Sequence, residues 1–216
     1  QCRHSSRRAS QSVMFRSSRI IRPSAAQTVE QEVRVLLFYG FWLFLLYSLG
    51  GYVLEKLYAA VRRPPHRVRK CFLLLPLCPV YGLAMLAVLG LPPDMTGTFW
   101  RLALYGGLTA TAVEYAVHFL YEKLLGVMFW DYSATKMDLN RRVCVPFALV
   151  WGPLTALTVR YVHPWVSALA RSMPPAVTCA ALLVLVADCF LSARVLRRSG
   201  DIDLMSLPRL AAALRA

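Results

Sequence analysis

Apolar residues in this chain come in long, continuous runs. Five of them approach or exceed the length of a bilayer crossing: 35–57, 72–91, 99–125, 143–162 and 176–196. A spanning helix needs about 20 mostly apolar residues. The runs are rich in Leu and Ala and lack the period-two alternation of barrel strands, so strands are not expected in them. The pattern predicts an all-α, polytopic integral membrane protein with about five transmembrane helices. Residues 35–198 form the membrane domain. Residues 1–34 read as a basic, Arg/Ser-rich, disordered tail, and 199–216 as a cytoplasmic C-terminal tail with a short amphipathic segment. Neither flank is long enough to bury a core of its own.

Composition agrees. The 216 residues are 57% hydrophobic and only 17% charged, whereas soluble domains carry about 25% charge. The net charge of +14 raises nucleic acid as a partner, but the charges collect between apolar runs. That placement excludes nucleic acid and fits basic loops beside a bilayer. Loop one carries Arg62, Arg63, Arg67, Arg69 and Lys70; loop three carries Lys123, Lys136, Arg141 and Arg142; the C-terminal flank carries Arg194, Arg197 and Arg198. Loops one and three and the C-terminus are therefore expected in the cytoplasm. The Arg-rich N-terminal tail then lies outside, against the rule; the loops are given more weight. A transit peptide shares that tail's composition, and Met14 is an alternative start.

The six cysteines, Cys2, Cys71, Cys78, Cys144, Cys179 and Cys189, form no C-x-x-C pair. They are read as small apolar residues, with neither a metal nor a disulfide expected. No cofactor is implied.

Ionisable groups inside apolar runs are costly and often mark function. Glu114, His118 and Glu122 recur every four residues and so share one helix face. The stripe reads either as a proton or cation path or as a polar seam pairing with Arg or backbone. Glu55 closes the first run, within reach of Arg62 or Arg63; Asp188 lies within the fifth run without an evident partner. Pro76 and Pro79 interrupt the second run, so its regular helix is expected to start near Pro79. The stretch FWDYSATKMDLNRRVC, 129–144, places specific polar residues between two runs. Trp130 and Tyr132 are expected at headgroup level, with Asp131 pairing Arg142 or the basic first loop.

In order, the chain shows GYVLE (51–55), FLLLPLCPVYG (72–82), EYAVHFLYEKLLG (114–126), WDYS (130–133), LNRR (139–142), WG (151–152) and HP (163–164). This series resembles the bacterial membrane-protein family catalogued as "putative ABC-transporter permease, type IV", over roughly 50–164. That family carries G-W-x-x-E, N-R-G-F-L-x-G-P-x-C-P-x-Y-G, paired Glu in the third helix, W-D-Y-S, and N-L-x-G-R before a W-G helix. The chain departs at Tyr52, at Arg69, Lys70 and Cys71, at Leu75, at Asp138 and at Arg141, where the family has Gly; it resembles a divergent member.

The resemblance implies a permease subunit in the bacterial inner membrane. Its candidate substrate or ion path is Glu55, Glu114, His118, Glu122, Asp131 and Arg142. Pro76, Cys78, Pro79, Tyr81, Gly82, Trp130 and Tyr132 frame its entrance. No G-x-x-x-x-G-K-[ST] phosphate loop occurs, so ATP hydrolysis would fall to a separate ATPase subunit. So few spans for a transporter imply a homo- or hetero-oligomer. Two other classes stay open. One is a membrane enzyme on lipid or a phosphorylated headgroup, with basic residues holding the anion and Asp131, Glu122 or His118 as acid or base. The other is a non-catalytic scaffold on anionic lipid.

Overall fold

The computed structural model of the chain describes residues 25–62, 71–135 and 137–205. Helix α1, Ala25–Arg62, begins well before the first apolar run, so residues 25–34 are helical too. Arg62 ends α1; the rest of loop one, residues 63–70 with its other basic residues, and Lys136 lie outside the described residues. The next helix, α2, covers only Pro79–Leu89. Pro79 supplies a preset φ at the helix start, and Cys78 before it is extended, as the proline ring demands. The start near Pro79 is thus as the sequence predicts.

A short helix α3, Pro93–Thr96, leads to α4, Phe99–Leu125. Thr98 caps α4 by accepting the Arg101 amide, and Gly126 ends it at φ +70°, a left-handed conformation that suits glycine. Two strand pieces follow, β1 Asp138–Leu139 and β2 Val143–Cys144, paired antiparallel with Asp138 opposite Cys144. This hairpin is not expected from the apolar pattern, because it is written in turn chemistry. Leu139 O accepts the Arg142 amide at 3.1 Å, and both central residues, Asn140 and Arg141, have positive φ. Tight hairpin turns require that.

Helix α5, Val145–Leu157, runs through a π-helical turn, Thr158–Val162, into α6, His163–Arg171. Pro164 has no N–H for the carbonyl four residues back. The chain widens there, and the His163 amide reaches Thr158 O instead. Helix α7, Pro175–Ser199, ends the bundle.

Three helical stretches among the described residues are long and apolar enough to cross a membrane: Gln31–Val61, Val145–Arg171 and Pro175–Ser199. Helix α4, at 27 residues, has the length, but its glycines, threonines, Glu114 and His118 dilute its apolar character. Helix α2, at 11 residues, rises only about 16 Å, half a hydrocarbon core. The fold is therefore an all-α membrane bundle.

Helix α2 is wedged between α1 and α4, and α4 packs along α5. The last contact is backbone to backbone. A Cβ on Gly107 would stand 2.8 Å from Gly152 Cα, and one on Gly152 would stand 2.7 Å from Ala103 O. Small residues allow this approach. One apolar core joins Leu43, Tyr47, Met85 and Ala170, and a second joins Val88, Leu102 and Ala156. A third, of Val127, Phe129, Leu196 and Met205, closes the other end.

Between α1 and α2, residues 71–78 lack regular structure and are held by three devices. Asp188 of α7 accepts the Leu74 and Leu75 amides at 3.2 and 3.0 Å. Ser48 O accepts the Cys78 amide at 2.9 Å. Cys71 and Cys78 are joined in a disulfide. The disulfide corrects the reading of these cysteines as plain apolar residues: the six intervening residues fold back on themselves, which spacing alone does not reveal. Asp188, which lacks an evident partner in sequence, is a backbone cap and also accepts Ser192 Oγ at 3.2 Å.

Candidate functional site

Glu114 is the centre of the site. It is buried at 4% exposure on α4. A carboxylate so placed needs donors to offset its desolvation. Tyr132 donates its hydroxyl to Oε1 at 3.0 Å, and Trp151 its indole N–H to Oε2 at 2.9 Å. Tyr132 comes from the 126–144 connection and Trp151 from α5, so one side chain ties three elements together. Trp151 in turn meets the Tyr81 ring edge-on, with centroids 5.6 Å apart. Tyr81 donates its hydroxyl to Glu55 at 2.7 Å. Glu55, also buried, is thereby linked to Glu114 through two aromatic rings. Whether Arg62 or Arg63 approaches Glu55 lies outside the described side chains.

The E-x3-H-x3-E stripe splits along its length. His118, buried, donates Nε2–H to Trp130 O at 2.9 Å, because a carbonyl can only accept. Its Nδ1 is buried without a hydrogen-bond partner. Glu122 takes Arg142 at 2.7 Å. Arg142 also lies over the Tyr115 and Phe119 rings at 5.2 and 5.3 Å. The neighbouring carboxylate holds the Arg142 guanidinium still more firmly protonated.

The expected Asp131–Arg142 pair is corrected. Asp131 accepts the Ser133 amide at 2.7 Å, an Asx turn. It pairs with the exposed Arg141 at 3.9 Å; the basic first loop, its other expected partner, lies outside the described residues. First the Ser133 amide, then Arg141, hold its carboxyl below the usual range. Arg142 points the other way because its backbone is claimed: Trp130 donates its indole N–H to Arg142 O at 2.9 Å. Each residue of WDYS therefore has a separate task. Trp130 latches His118 and Arg142, Asp131 and Ser133 turn the chain, and Tyr132 reaches down to Glu114.

A cavity of about 250 Å³ lies beside Glu114 between α1, α2, α4 and the α5 stretch. Glu114, Tyr81 and Trp151 form its polar wall; Met85, Val88 and Leu154 are among its apolar walls. The structure thus brings together Glu55, Tyr81, Glu114 and Tyr132. It leaves His118 and Glu122 of α4 bound to Trp130 and Arg142 of the 126–144 connection, with Asp131 in the same connection. Pro76, Cys78 and Pro79 set the entry to α2. Gly82 lets α1 approach, since a Cβ there would collide with Ser48 Oγ and Phe44 O. Trp151 is the site residue that sequence reasoning missed. Its signal was the W-G pair: Gly152 seats α5 against α4, which aims the preceding Trp at Glu114.

These features define a helical membrane protein with a buried carboxylate on a cavity between its helices. The model of the family described as "Putative ABC-transporter type IV" matches residues 42–193, most of the chain, and the protein belongs to that family. No curated protein and no solved structure matches it.

Proposed function

We propose that the chain is the membrane-embedded permease subunit of a transport system and relies on a separate ATPase subunit. The observation that supports this reading is Glu114, a hydrogen-bonded carboxylate lining a cavity inside the bundle. In this reading the cavity is the substrate site, and Tyr132 and Trp151 preorganise the carboxylate. Glu55 sits beyond Tyr81 as a second acidic station. Helix α4 serves as a fourth crossing, and residues 71–78 with α2 as a broken fifth. Broken backbone at membrane depth is tolerated where protein covers it or a cavity borders it.

The proposed location is the bacterial inner membrane, with loops one and three and the C-terminus cytoplasmic. The Cys71–Cys78 disulfide pulls the other way, since such bonds persist on oxidising faces. A Ser199→Cys variant probed with an impermeant maleimide from each side of the membrane decides between them. Labelling from the cytoplasmic side alone supports this orientation; labelling from the other side alone reverses it.

The test of function is gentle purification of the tagged protein, identification of what co-purifies, and flux measurements on that complex in vesicles. A stoichiometric ATPase and ATP-dependent flux lost in Glu114→Gln are the expected results. A homo-oligomer with no ATPase and no flux would remove the permease reading. A scaffold is the second reading. It is favoured by the hydrogen bonding of Glu55, Glu114, Glu122 and Asp188 within the bundle.

A further inference from the structure

The lining of the Glu114 cavity is unevenly exposed. Most of its walls are buried or half-buried, but Gly50, Leu54 and Val162 are exposed. Leu54 is 36% exposed and Val162 47%. Gly50 and Leu54 belong to α1, and Val162 to the π-helical turn. Both elements fall within stretches apolar and long enough to cross a membrane, Gln31–Val61 and Val145–Arg171. Gly50 and Val162 lie well inside those stretches, far from their ends. The mouth of the cavity therefore opens sideways, on the face that meets lipid.

The space beside Gly50 is open: a Cβ placed on it meets nothing within 4 Å. On the other rim, Pro164 forces the π-helical turn that carries Val162.

The cavity is also polarised along its length. Glu114, the one charged group on its wall among the described residues, shares an end with Tyr81 and Trp151. Two helical turns along α2, about 10 Å, the wall is Val88 with Met85 beside it, and the other polar lining, Tyr47, Thr155 and Thr158, is uncharged. At about 250 Å³ it is just below the roughly 300–1,000 Å³ of ordinary small-molecule sites. It suits a head and the first part of a chain, with the remainder left in the bilayer.

We infer that the cavity takes a bilayer-dissolved amphiphile, entering between α1 and the π-helical turn. Its hydroxyl or ammonium head donates to Glu114, and its tail lies toward Val88 and out past Val162. A water-soluble solute would meet an apolar rim at the mouth, whereas a lipid-dissolved one is already at the right depth. The inference deepens the permease reading and rests on the same site.

The test uses the full chain in phosphatidylcholine nanodiscs with photoactivatable hexadecanol and hexadecylamine, each carrying a diazirine on the chain. A tailless diazirine amine serves as the control, and labelled residues are mapped by mass spectrometry. Both long-chain probes are expected to mark 47–54 and 151–162, and the tailless amine is not. Gly50→Leu places a large side chain in that open space, narrows the mouth and lowers that labelling about tenfold. If that variant is not monodisperse, Val162→Trp narrows the same mouth from the other helix and carries the same expectation. Undiminished labelling in a folded mouth variant, or marking by the tailless amine alone, overturns the inference. Long-chain labelling without flux in the purified complex keeps the amphiphile site and removes the permease reading. ATP-driven flux of a polar solute without long-chain labelling does the reverse.

Discussion

Two buried carboxylates on two helices have opposite surroundings. Asp188 holds the backbone: its oxygens take the Leu74 and Leu75 amides and Ser192 Oγ. It does not border the cavity. Glu114 holds side chains, the Tyr132 hydroxyl and the Trp151 indole, and does border it. Backbone amides in an irregular segment have no other partner at that depth, so the bonds of Asp188 are obligatory. A Tyr or Trp side chain can turn to another acceptor. The same chemical group is therefore a structural cap in one place and a poised site in the other.

Substitutions sharpen this contrast. The largest effect is expected at Asp188→Ala, which strands two amides. It should cost about 3 kcal/mol in detergent thermal unfolding, since unmet buried donors cost about 1–3 kcal/mol each. Asp188→Asn, keeping one acceptor oxygen, should lose about half of that. A stability loss in Glu114→Gln as large as in Asp188→Ala would erase the distinction. The expected outcome is a smaller loss, about 1 kcal/mol, with abolished flux.

Next in size is Gly107→Ala, at about 2 kcal/mol, because its Cβ would overpack the α4–α5 contact. This contact aims Trp151, so Trp151 fluorescence, read in a background with the other tryptophans replaced by Phe, should shift with stability. An unchanged spectrum would uncouple the helix contact from the site.

Arg141→Gly should stabilise by about 1 kcal/mol, measured by the same unfolding. Arg141 occupies φ +61°, where a side chain is penalised, and loses only an exposed 3.9 Å ion pair. The family's Gly at this place is thus explained by backbone conformation.

The smallest effect belongs to Asp131. Its folded pKa lies below the ordinary value, so its contribution is present above the unfolded pKa, about 3.9. It fades as pH falls through the folded value. Asp131→Asn should lose a little loop protection in hydrogen exchange at neutral pH, where the contribution is present, and match the parent below the folded pKa, so that the acid limb flattens. An equal loss persisting at low pH would mean that the turn depends on more than charge.

The apolar runs were enough to predict an all-α membrane protein, because hydrocarbon surroundings demand internally bonded helices whatever the packing. The four-residue spacing of Glu114, His118 and Glu122 placed them on one face, since helical pitch is local. Of the family series, Tyr132 and Trp151 meet Glu114 directly, and Tyr81 and Glu55 are joined to it through Trp151. Partnership was not legible. Arg142 chose Glu122 over Asp131 because Trp130 fixes its backbone. Asp188 met amides 113 and 114 positions away, and Cys71 met Cys78 through a fold-back of the chain. Run length could not tell the short α2 from a full span, since the apolar stretch before Pro79 is held irregular by distant groups. Local periodicity and solvent preference are written residue by residue. Which donor satisfies which acceptor, and where a gap is left between helices, was decided by tertiary packing, because only there do segments far apart in sequence compete for the same buried group.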